Sequence, residues 1–136
     1  MIRPIVRDER LLKRRSTPAG PADAGCAADL LDTLRAHRAH CVGMAANMIG
    51  VHKRIIAVAT PMADLVMFNP VITSREEPYE AQESCLSLGG VRRTQRFRRI
   101  TVEYLDSHFQ AHTGRFSGTM AQVIQHECDH LDGILI

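Results

Sequence analysis

The 136-residue chain reads as an α+β protein: antiparallel β-strands packed around a C-terminal helix, with a second helix near the N-terminus. Three observations predict this. Apolar residues recur at helical spacing towards both ends of the chain. Between them lie segments rich in β-branched residues or alternating in polarity, as strands do. The order helix, several strands, helix differs from the alternation of an α/β protein. A chain of this length suffices for one core, so residues 1–136 are expected to form a single domain.

The elements follow in order. "STPAGPADAG", Ser16 to Gly25, has the Pro, Gly and small residues of a loop. A helix is predicted over Ala22 to Ala39, where Ala27, Leu30, Leu31 and Leu34 share a face. "CVGMAANMIG", Cys41 to Gly50, is built of small residues that permit close backbone approach. "KRIIAVA", Lys53 to Ala59, reads as a strand, and "DLVMFNPVI", Asp64 to Ile72, as another, with Pro70 marking an edge or an end. "RRITVEYLD", Arg98 to Asp106, places Ile100, Val102 and Tyr104 on one face and Thr101, Glu103 and Leu105 on the other. "HTG", His112 to Gly114, is expected to turn into a returning strand. From Thr119 to Leu131 the period is again helical, and Gly133 suits the C-terminal cap.

Composition narrows the function. An apolar content of 45% with 24% charged residues is that of a soluble globular protein. A net charge of +2 is too small to indicate a nucleic-acid binder. No stretch approaches the ~18 apolar residues of a membrane span, and "MIRPIVRDERLLKRR" lacks the apolar centre of a signal peptide. Cys26, Cys41, Cys85 and Cys128 have no CxxC spacing, so they suit thiols or metal ligands better than a disulfide frame. A cytoplasmic protein without membrane partners is expected.

The stretch "VIQHECDHLDG", Val123 to Gly133, carries the chemistry. On a helix, Met120, Val123, Ile124 and Leu131 form an apolar stripe, and Glu127 falls inside it. A carboxylate facing a core is costly unless something pairs with it. His126 and His130 flank it, about 40° apart around the helix axis. Histidines at i and i+4 converge on one ion, and the glutamate between them can reach a water on that ion. The plainer alternative is two surface histidines and a Glu127–arginine pair. A catalytic metal site needs a third protein ligand. The six residues after His130 hold no histidine or glutamate, so that ligand lies upstream. Cys85 in "QESCLSLGG" is the best candidate; Cys41 and Cys128 are the alternatives, and Cys128 points roughly 80° off the stripe. A lone cysteine is more often a small buried apolar side chain. A thiolate with two imidazoles suits Fe²⁺, Zn²⁺, Ni²⁺ or Co²⁺.

Three segments resemble the peptide deformylases, whose motifs are written GxGxAAxQ, EGCLS and QHExDHxxG. Here they read "CVGMAANM" (Cys41 to Met48), "ESCLS" (Glu83 to Ser87) and "QHECDHLDG" (Gln125 to Gly133), in the same order and spacing. The resemblance implies that Cys85, His126 and His130 bind a divalent ion, commonly Fe²⁺. It implies that Glu127 is the general base and later passes its proton to the leaving amine, and that the Leu86 N–H helps hold the oxyanion. The implied substrate is the N-formyl group of a nascent peptide beginning with methionine; the products are formate and a free amine. The peptide would lie extended along Val42, Gly43 and Ser84. Its methionine side chain would enter a pocket near Val42, Thr119 and Val123, and Arg92 would line the groove.

The chain also departs from those motifs. Met48 stands in place of the motif glutamine and cannot donate a hydrogen bond. Cys41 and Ser84 replace two glycines, and the chain stops soon after the third motif. "VRRTQRFRR", Val91 to Arg99, holds five arginines in nine residues; its plainest reading is a solvated strand face rather than a nucleic-acid site. Arg96 is expected to pair with Glu83 and orient the metal loop. A weak affinity for the ribosome surface fits a nascent substrate, and both a monomer and a homodimer fit the sequence. Two other readings compete: a metallopeptidase or amidase acting on another acyl peptide, and a non-catalytic peptide-binding homologue.

Overall fold

Side chains of the central strands point alternately towards two helices. In the computed structural model, which covers residues 1–136, the strands are β1 (Gly43–Ala45), β2 (Ile55–Ala59), β3 (Asp64–Glu83), β4 (Arg92–Leu105) and β5 (Ala111–Ser117). They pair antiparallel in chain order. The helices are α1 (Glu9–Leu12), α2 (Ala24–Ala36) and α3 (Gly118–Leu131). On β2, Ile55 and Ala57 join a core with Leu30 and Leu34 of α2. Ile56 and Val58 join a second core with Ala121, Ile124 and Leu131 of α3. The period of two along a strand thus sandwiches the sheet between α2 and α3. Each fully buried Leu, Ile or Met contributes about 1.5–3 kcal/mol. The α+β arrangement expected from the sequence is the one observed, and no helix is long and apolar enough to cross a membrane.

Several boundaries differ from the expectation. The helix predicted over Ala22 to Ala39 is α2, Ala24–Ala36, preceded by a 3₁₀ turn at Pro21–Asp23. The strand expected over Lys53 to Ala59 is β2, which begins at Ile55; Lys53 makes only an isolated bridge to Thr17. Pro70 does not end its strand. β3 runs on to Glu83, with register shifts at Phe68/Val71 and Ile72/Ser74, and a bulge lets the ring's missing N–H be tolerated. The turn expected at His112 to Gly114 lies earlier: Asp106 Oδ1 accepts from His108 N and Gln110 N, closing the chain there, and His112 and Gly114 sit within β5.

α3 is fixed at both depth and end. The Gln125 side chain accepts from Phe97 N at 2.9 Å and donates to Phe97 O at 2.8 Å, so one amide satisfies both backbone groups of a β4 residue. At its C-terminus, Gly133 N donates to His130 O and Ile134 N to Asp129 O, both at 3.0 Å, closing a Schellman motif. Gly133 has φ +76°, and a Cβ there would lie 2.2 Å from Lys13 O; glycine is required.

Candidate metal centre

The β3–β4 hairpin and α3 meet at one point. Glu83, the last residue of β3, pairs with Arg92 of β4, and the turn between them carries Cys85 over α3. One donor atom each from Cys85, His126 and His130 then lies within 4.8 Å of the others, and all three residues are buried. Cys41 and Cys128 lie outside this group. Cys128 is buried in the core on the α3 side of the sheet.

The orientation of the rings suits a cation. His126 Nδ1 lies 2.8 Å from Glu83 Oε1, so this nitrogen carries the proton and Nε2 presents its lone pair. That Nε2 is 3.0 Å from His130 Nε2. At that distance a proton on one nitrogen bridges the two rings, and a cation seated beside both lone pairs can take its place. Glu127 is 4% exposed, and its Oε1 has no hydrogen-bond partner.

Charge at the centre follows from these contacts. Burial alone would raise the Glu83 carboxyl, but hydrogen bonds from His126 and Arg96 outweigh it and hold it at about 2. Burial would lower His126; its bonds to Cys85 and Glu83 and the nearby Glu127 instead lift it to about 10. His130 is pushed down to about 3 by burial and then by the charge on His126. Burial raises Glu127 to about 7, against the pull of His126. The protein on its own therefore draws a proton into the cluster, and a divalent ion answers the same demand with two charges. The donors present fit a metal.

Residues outside the motif reading complete the support. Arg96, expected to hold Glu83, does so through Nε and Nη2, and its Nη1 also reaches Asp129 Oδ2 at 2.6 Å. Gln122 donates to Glu83 Oε2 at 3.0 Å. Asn47 Nδ2 donates to His130 O at 2.8 Å, so this side chain turns into the core and not towards the substrate. Asp129 is the fixed aspartate of the third motif but was given no role from the sequence, and Gln122 was legible only as a partner at helical spacing from His126, a weak signal.

The centre opens into a cleft of about 650 Å³. Val42, Gly43, Ser84, Leu86, Thr119 and Val123 all line it, with Met48 beside Cys85 and Glu127. So do Arg38 and His40, which the sequence did not single out. Arg92 is not among the lining residues; its Nη1 donates to Gly89 O at 3.0 Å, and Gly89 is. β1 is an edge strand. Val42 O accepts from Ala59 N, so the next residue, Gly43, turns its carbonyl to the open edge. The Cys41 thiol donates to that carbonyl at 2.8 Å. The Leu86 N–H donates to no protein group, while Leu86 O accepts from Arg7.

The family model described as Polypeptide deformylase matches residues 2–136. The chain belongs to the polypeptide deformylase family. A peptide deformylase of Clostridium beijerinckii is 51% identical over 136 residues, covering the whole of both chains. The crystal structure of peptide deformylase from Thermus thermophilus superposes with a TM-score of 0.87 at 35% identity, over 99% of this chain and 83% of that one. A Met-Ala-Ser-bound class I type b peptide deformylase from Acinetobacter baumannii gives 0.89 at 29% identity, over 99% and 97%. Deformylases are metalloenzymes, and Cys85, His126 and His130 are the group that can hold the ion here. The fold and the enzymatic class expected from the motifs are those of the family.

Proposed function

We propose that this chain, working as one domain in the cytoplasm, removes the N-formyl group from the first methionine of nascent peptides and releases formate. The observation that carries the reading is Glu127: a buried carboxylate with a free oxygen, beside three converging ligand atoms and at the floor of a cleft.

We assign Fe²⁺ to Cys85, His126 and His130. When bound, such an ion lowers the pKa of water towards neutrality and draws charge from a carbonyl oxygen. Glu127 takes a proton from the attacking water through its unpartnered Oε1, then delivers it to the amine as the C–N bond breaks. The free Leu86 N–H donates to the formyl oxygen as negative charge grows on it. The peptide adds along the open edge of β1 at Val42 and Gly43 and against Ser84, with its methionine side chain towards Val42, Thr119 and Val123. Arg92 braces the rim through Gly89. A formyl carbon bears only hydrogen, so a tight floor selects it over larger acyl groups.

Anaerobic loading with Fe²⁺ or Ni²⁺, followed by a formate assay on formyl-Met-Ala, tests the reading. Glu127→Ala is expected to lower formate release by roughly 10²–10⁴-fold with the metal content retained. No turnover by the fully loaded wild type would replace this reading with a non-catalytic peptide-binding homologue.

A further inference from the structure

A second cleft, of about 420 Å³, lies behind the catalytic helix. Cys128 lines it, about 200° around α3 from His126. The lining includes three arginines, Arg15, Arg54 and Arg75, against a single carboxylate, Asp132. Arg54 is anchored: Nη1 donates to Leu131 O at 3.1 Å and Nη2 to Asp132 Oδ1 at 2.9 Å. Arg15 reaches the same carboxylate only at 3.9 Å. Arg75 is held by its backbone in the β3–β4 ladder opposite Ile100, and its exposed side chain makes neither a hydrogen bond nor an ion pair. Ser16 also lines the cleft, is 4% exposed, and has a hydroxyl without a partner.

These features share one explanation. Cationic side chains outnumber carboxylates by two in a recess whose other walls include Pro18, Pro70 and Val71. Low-dielectric walls focus such a field on an incoming anion. A buried hydroxyl left unpaired costs free energy that a ligand oxygen would return. The guanidiniums come from three separate segments: the loop after α1, the approach to β2, and β3 itself. Two free guanidiniums beside the anchored one, arriving from separate directions, match the tetrahedral oxygens of a phosphate better than the coplanar pair of a carboxylate.

We propose that this second cleft is a binding site for a phosphate group. Free phosphate, a small phosphorylated ligand and the backbone of RNA all present that chemistry.

The test titrates inorganic phosphate, at low ionic strength, into zinc-loaded, ¹⁵N-labelled protein. Saturable amide shifts are expected at Ser16, Arg54, Ile72 and Asp132. The Arg15→Ala/Arg75→Ala double variant, altered only at exposed rim positions, is expected to bind about tenfold more weakly and to release formate at the wild-type rate. A second arm uses a short single-stranded RNA. Tighter binding than phosphate at the same amides assigns the site to a polymer backbone, and weaker binding assigns it to a small phosphate; either supports the site. Shifts confined to the surroundings of Cys85 and His126, equal binding by the double variant, or no shift into the millimolar range would overturn it.

Discussion

Arg96 grips Glu83 through Nη2 at 2.7 Å and Nε at 2.9 Å, and both side chains are only 5% exposed. Glu83 in turn holds His126, so an arginine on β4 sets the direction of a proposed ligand on α3. Removing one partner of a buried pair leaves a charge without compensation. Arg96→Ala is therefore expected to cost about 3 kcal/mol of stability and to weaken metal binding by roughly 10–100-fold. Chemical denaturation and metal competition measure the two effects. Unchanged metal affinity would detach Arg96 from the centre.

The same pair predicts a pH dependence of stability. The carboxyl of Glu83 sits at about 2 when folded, below its ordinary 4.5. A depressed carboxylate contributes its full stability above the ordinary value and loses it as pH falls through the folded one. The contribution from Glu83 should be intact at pH 5 and fade between about 4.5 and about 2. Urea unfolding across that window should show it, and Arg96→Ala should flatten it.

How much of this was legible beforehand depended on range. His126, Glu127 and His130 lie within one helical turn and a half, so spacing alone placed them on one side of α3. Cys85 reaches them only through the β3–β4 register, a non-local fact that periodicity cannot carry. Motif resemblance supplied it instead. The far half of β3 was hidden for a different reason. From Ser74 to Glu80 its residues are exposed or only half-buried, so no apolar face marks them as strand. Asp106 closed the β4–β5 turn through a side-chain acceptor, a signal weaker on paper than the glycine of "HTG".

Gly43 leaves no room for a side chain. A Cβ there would lie 2.5 Å from Val123 Cγ1 and 3.0 Å from Glu127 Oε2. Both neighbours are on α3, which Gln125 pins to β4, so the clash falls on the proposed base Glu127 and on Val123 of the cleft lining. Gly43→Ala is expected to destabilise the fold by about 1–3 kcal/mol. It should also reduce kcat even in protein that remains folded and metal-loaded, as steady-state kinetics on formyl-Met-Ala would show.

As the proposed general base, Glu127 is expected to set the acid limb of the rate. Burial raises its carboxyl to about 7, and only the ionised form accepts a proton. Activity should therefore fall as pH drops through that region. A cation beside it favours the carboxylate, so the limb in loaded enzyme lies at or below about 7. The measurement is kcat/KM against pH. A limb centred well above 7 would assign the titration to another group.

Met48 stands where the family motif has glutamine, lines the cleft beside Cys85, and is 2% exposed. Its sulfur accepts from Ala45 N at 3.5 Å, and a thioether has no proton to donate. Under the proposed mechanism the Leu86 N–H would hold the oxyanion without side-chain help from position 48. A lost donor of this kind costs roughly 10²–10³ in rate in other enzymes. Met48→Gln is expected to raise kcat, with a smaller change in KM, because the added N–H acts as charge develops on the formyl oxygen. The exchange has an opposing term. Met48 belongs to the core on the α2 side of the sheet, and a buried amide there has polar atoms to satisfy. Stability should fall by about 1–3 kcal/mol. Rate and denaturation midpoint measured on the same preparation separate the two effects. A variant that loses stability and gains no rate would show that the oxyanion here does not depend on a donor at position 48.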